Sequence, residues 1–113
     1  MSSEKKYLDT TVVESLKELL GEKFLVMVDA FVSDGELKLS KIRSALIEQD
    51  LSVVASEVHG IKGSSQNIGA TELATISAEL EQQARANDAT GIKQKLSAVE
   101  QVFAAVCKEL KDI

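Results

Sequence analysis

The 113-residue sequence contains no proline, no tryptophan, one cysteine and one histidine. Without proline, no helix interior loses an amide donor or is forced to kink. With Cys107 as the lone cysteine, neither an internal disulfide nor a multi-cysteine metal site can form within one chain. Aromatic residues make up only 4% of the chain while hydrophobic residues reach 44%, so the apolar content is mainly Leu, Val, Ile and Ala, which favours packed helices over sheets. There is no Lys/Arg block, and the formal charge is −5, which argues against nucleic acid or an anionic membrane as the main partner and for other proteins. No apolar run approaches the roughly eighteen residues of a membrane span, and the start Met1-Ser2-Ser3-Glu4-Lys5-Lys6 is followed by no apolar signal region. The expectation is a cytoplasmic protein, a single domain over residues 1–113 that buries roughly 65% of its unfolded surface.

The apolar pattern predicts five helices. Residues 1–8 read as a frayed start, Thr11 with Glu14 has the form of a capping box, and Gly21 stops a short first helix over 11–20. From 22 to 49 the positions Phe24, Val28, Phe31, Gly35, Leu39, Ile42 and Leu46 keep one helical phase, widened by Leu25 and Val32. A turn at Ser33-Asp34-Gly35 is the alternative, but the stripe continues across it without a slip. Asp50 caps a third helix over 51–67, in which Leu51, Val54, Val58, Ile61, Ser65 and Ile68 point inward. A fourth covers 70–86 with Leu73, Ile76, Leu80 and Ala84 inward. The fifth covers 89–111 with Ile92, Leu96, Val99, Phe103, Val106, Leu110 and Ile113 on one face. Four long stripes joined by short loops give an all-α, antiparallel up-down four-helix bundle, with the short first helix capping one end.

His59 lies roughly 130° round the third helix from its inward stripe, at about 100° per residue. Ser52, Ser56, Gly63 and Gln66 share its side and Lys62 is on the flank. The imidazole therefore looks outward. A solvent-facing imidazole, with an ordinary pKa of about 6.5, is partly neutral at cellular pH, and only the neutral ring has a lone pair for attack on phosphorus.

The run His59, Lys62, Gly63, Ser64, Ser65, Gly69, Ala70 resembles the signature of the histidine-containing phosphotransfer (HPt) domain of two-component signalling, and the flanking helices have that family's lengths and order. The resemblance implies a phosphorelay intermediate. His59 would reversibly accept a phosphoryl group from an aspartyl phosphate on the receiver domain of a hybrid sensor histidine kinase and pass it to the aspartate of a response regulator receiver. It also implies that Mg²⁺ belongs to the receiver, so that this chain needs no cofactor and no metal of its own and works as a monomer. No Gly-rich phosphate loop is present, so no ATP-dependent kinase activity is expected.

The supporting residues follow. A carboxylate accepting the Nδ1 proton would leave Nε2 free to attack. Glu81, twenty-two residues after His59 and one step beyond the inward Leu80, is the expected partner and matches the family's Gln or Glu that contacts the histidine, with Gln82 and Gln83 as fallbacks. Lys62, one turn beyond His59, is placed to meet a phosphoryl oxygen. Gly63 exposes bare backbone that would leave room for the phosphoryl group and a partner. Arg85 is at pairing distance from Glu81 and matches a basic position of some family members, although Glu81 with Arg85 also reads as an ordinary surface pair. Ser64 and Gln66 are secondary site candidates, although with Ser65 they also read as satisfying local helix contacts; Ser52 and Ser56 are read as part of the docking face, and Cys107 as an inert buried thiol. Two other functions fit the sequence less well: a module that docks on receivers without being phosphorylated, and an independent enzyme using His59 or Cys107.

Overall fold

Asp9, not Thr11, starts the first helix. In the computed structural model, which describes residues 5–113, α1 spans Thr10–Leu20. The Asp9 carboxylate accepts from the amides of Thr11 at 3.0 Å and Val12 at 3.4 Å, so the Thr11–Glu14 capping box is superseded by a cap two residues earlier that satisfies donors of the first turn. Gly21, at φ 56°, ends α1 as expected. The frayed start is corrected where it can be seen. Leu8 is buried, the Tyr7 amide donates to Glu109 Oε1 at 2.7 Å and the Asp9 amide donates to the Gly69 carbonyl at 2.8 Å. Residues 1–4 lie outside the described residues.

α2 runs unbroken over Lys23–Ile47, through Ser33-Asp34-Gly35. Gly35 is buried because the ring of Phe103, on the last helix, occupies the space where a Cβ would stand. The same ring lies 5.6 Å from that of Phe31. The helix ends two residues before Gln49, whose φ of 60° cannot continue it. α3 spans Leu51–Ile68; the Asp50 carboxylate caps it by accepting from Val53 N, and Gly69 closes it at φ 83°. α4 spans Thr71–Arg85 and α5 spans Ala89–Lys111. Among the described residues there is no strand.

Consecutive long helices pack side by side, α2 on α3, α3 on α4 and α4 on α5, with α5 closing against α2 and α1 laid over α2 and α3. The core is the set of stripes named above, with three corrections. Leu25 is 68% exposed, since it stands 100° from Phe24, beyond the arc that α1, α3 and α5 cover. Val32, Leu46, Leu51 and Ile76 are half-buried, while Ala45, Ala74 and Ser77 take the inner positions. Ile113 lies past the end of α5 and is exposed. Val54, Val58, Ile61 and Ile68 of α3 are fully enclosed. Burial of such side chains stabilises by about 1.5–3 kcal/mol each, and it fixes the rotation of α3 that turns His59 outward.

Candidate functional site

The His59 side chain is 62% exposed, on the surface of α3 that also carries the exposed Ser52 and Ser56. One turn on, Gly63 opens onto free space, with nothing within 4 Å of the place where a Cβ would be. α4 brings Glu81 to the ring from the side. It follows Leu80, which is wholly buried, and is itself buried at 8% exposure, an unusual place for an acid unless it is paired.

Glu81 is paired three times. Its Oε2 lies 3.1 Å and its Oε1 3.3 Å from Nδ1 of His59. Lys62 places Nζ 3.2 Å from Oε1, and Arg85 donates to Oε2 from Nε at 2.9 Å and from Nη2 at 2.8 Å. Burial pushes the Glu81 carboxyl up, but hydrogen bonds from Arg85, Lys62 and His59 outweigh it and hold the group below its ordinary value. An ionised carboxylate only accepts. The proton between the two residues therefore belongs to Nδ1, and in the neutral ring Nε2 carries the lone pair, on a side chain that is mostly exposed.

The expected residues thus divide. His59, Lys62, Glu81 and Arg85 form one cluster, and Glu81 with Arg85 is not a surface pair, because its acid is buried. Neither Gln82 nor Gln83 bonds to the histidine. Gln82 is exposed, and Gln83 packs against Gly91 with its Oε1 buried and unpartnered. Ser64 and Ser65 both donate to the Ile61 carbonyl, at 3.1 and 2.6 Å, which is a local helix role, while Gln66 is exposed. Ser52 donates to Asp50 at 2.8 Å and so belongs to the cap of α3. Cys107 is buried, and burial first, then the Glu36 charge, pushes its thiol up to about 11. It is a protonated, unreactive thiol at neutral pH.

Two neighbours of the histidine escaped the sequence reading. Gly60 follows His59, and the side chain of Lys38 from α2 lies across it. A glycine inside a helix, next to the one histidine, was the available signal.

The Hpt domain family model matches residues 26–112. Among solved structures, histidine-containing phosphotransfer protein B (HptB) from Pseudomonas aeruginosa PAO1 superposes with a TM-score of 0.92, over 96% of this chain and 95% of that one, at 32% sequence identity. No curated protein sequence matches the chain.

Proposed function

The chain belongs to the Hpt domain family, and on that premise we propose that His59 is the residue that carries the phosphoryl group. The protein is a phosphotransfer intermediate of two-component phosphorelay signalling, a carrier and not a kinase, and its partners are receiver domains of kinases and response regulators. In our reading the Nε2 lone pair attacks the phosphorus of a receiver's aspartyl phosphate. The bond from phosphorus to the acyl oxygen breaks, and its electron pair leaves with the aspartate carboxylate. The new phosphohistidine ring is cationic, still protonated on Nδ1, and the Glu81 carboxylate supports that charge at 3.1 Å. A positively charged ring is a good leaving group, so a second receiver's aspartate takes the phosphoryl by the same step in reverse.

The other roles follow from position. Lys62 supplies positive charge for the phosphoryl oxygens, Gly63 leaves room for the receiver, Arg85 orients Glu81, and Ser52 and Ser56 lie on the surface the receiver covers. We assign Mg²⁺ to the receiver, since Glu81, the carboxylate held against His59, already accepts from three residues. We further propose a monomer that works in the cytoplasm, between the receiver of a hybrid sensor kinase and that of a response regulator. Among the described residues no helix is long and apolar enough to cross a membrane.

The observation that carries the assignment is the pairing of the His59 Nδ1 with a buried, ionised Glu81, which leaves the lone pair on Nε2 of a mostly exposed side chain. Incubation with a phosphorylated receiver domain tests it. The expected product is alkali-stable, acid-labile phosphate on His59, absent from His59→Gln. Binding of the receiver without phosphate uptake would make the chain a docking module instead.

A further inference from the structure

On α2, the side chain of Lys38 crosses the backbone of α3 at Gly60, the neighbour of His59. A Cβ at Gly60 would stand 3.2 Å from Cδ and 3.5 Å from Nζ of Lys38, and it would collide with Cε. The lysine is only 23% exposed. Asp34, one turn earlier on α2, holds Nζ at 2.9 Å. Lysine stems on a bundle surface ordinarily extend so that the ammonium is in water, and glycine inside a helix is unfavourable relative to alanine. An exposed i,i+4 ion pair is too weak to explain a helical glycine kept beneath the lysine stem.

The charges around His59 put the arrangement in context. On the α4 side, Lys62 and Arg85 are both engaged by Glu81. On the α2 side, Lys38 is engaged, among the described residues, only by the exposed Asp34. A phosphoryl group arriving on Nε2 brings about one and a half to two negative charges, as on other phosphorylated side chains. Lysine's flexible four-carbon stem lets its ammonium group change partners without moving a helix.

We propose that Lys38 is a second cation of the phosphoryl site, seated beside His59 by Gly60, parked on Asp34 in the resting state and turned to the phosphoryl oxygens once His59 is loaded. The proposal rests on the reading of His59 as the phosphorylated residue. It makes the site two-sided, with Lys62 on one flank and Lys38 on the other.

The test follows the ³¹P resonance of the phosphorylated protein against pH. Phosphoramidate, a small donor, phosphorylates imidazole with release of ammonia, and His59 is the one histidine of the chain, so the signal is unique. A nearby cation favours loss of a proton from the phosphorylated group, whether from a phosphoryl oxygen or from Nδ1 of the cationic ring, and so lowers the midpoint that the ³¹P shift reports. Lys38→Met keeps the stem and removes the charge, and it is expected to raise the ³¹P midpoint by about half a pH unit. Lys38→Arg should restore the midpoint. Gly60→Ala should reproduce Lys38→Met, because its Cβ displaces the stem, and should add nothing when combined with Lys38→Met. An unmoved midpoint in Lys38→Met overturns the proposed contact, whatever happens to thermal stability. An unmoved midpoint in Gly60→Ala overturns the seat. A wild-type protein that gives no phosphohistidine resonance with phosphoramidate or with a phosphorylated receiver overturns the His59 reading itself.

Discussion

Arg85 grips Oε2 of Glu81 through Nε and Nη2, at 2.9 and 2.8 Å, and that same oxygen lies 3.1 Å from Nδ1 of His59. Arg85 thus aims the acceptor through its own bonds to Glu81. Glu81→Ala removes the acceptor and should shift the ring toward a mixture of tautomers. Ring-nitrogen NMR of His59 checks this. An unchanged pattern would remove Glu81 from the site.

Acid should weaken the fold through the same residue. The folded Glu81 carboxyl is held below the ordinary 4.5, so its contribution to stability is complete above that value and is lost as pH falls through the lower folded one. Urea midpoints measured from pH 7 to pH 3 should fall less steeply at the acid end for Glu81→Gln than for the wild type. At pH 7 the same variant should be less stable by about 1.5–3 kcal/mol, the range for hydrogen bonds to a charged group.

His59→Gln should abolish phosphoryl acceptance and leave stability within about ±0.5 kcal/mol, because the side chain is 62% exposed. Thermal unfolding and phosphate uptake from a phosphorylated receiver read the two effects separately. A loss of several kcal/mol would contradict the outward placement.

Lys62→Ala removes a charge-assisted contact worth about 1.5–3 kcal/mol in favourable geometry. Transfer should slow or the phosphohistidine lifetime shorten, with the helical signal retained. Wild-type kinetics would make Lys62 merely a solvated partner of Glu81.

Two helical glycines should respond in opposite ways. At Gly63 an added Cβ meets nothing, so Gly63→Ala should raise stability by up to about 1 kcal/mol, while Gly63→Gln should fold and yet slow transfer by crowding the receiver. At Gly35 the same Cβ runs into the buried ring of Phe103. Overpacking of that kind costs about 1–3 kcal/mol and exceeds the gain in helix propensity. Denaturant midpoints of the two alanine variants decide both cases.

How far the sequence reached depends on which helices meet. His59 and Glu81 are each eleven residues from Ala70, at the turn between α3 and α4, and Lys38 and Gly60 are each eleven from Gln49, between α2 and α3. Antiparallel neighbours joined by a short loop pair in this way, so both contacts lay within reach of register arithmetic, though only the first was drawn. Gly35 and Phe103 belong to α2 and α5, which no loop connects, and no count along the chain relates them. The depth of Glu81 was missed for a different reason. A carboxylate one step past a buried leucine reads as surface until the three donors that make its burial tolerable are in place. Asp9 displaced Thr11 as the cap because both residues suit that position and only the folded backbone selects between them.

The bond from Tyr7 to Glu109 joins positions 102 residues apart, and this sets an order of events during synthesis. At about 5–20 residues per second, Tyr7 waits on the order of 5–20 s for Glu109 to be synthesised. The helices that carry Lys38, His59 and Glu81 have all been made by residue 85, and they are joined by local contacts of the kind that form early. The phosphoryl-bearing face can therefore form from α2, α3 and α4, with Asp9 already tied to Gly69 at the turn between α3 and α4, before α5 brings Glu109 to Tyr7.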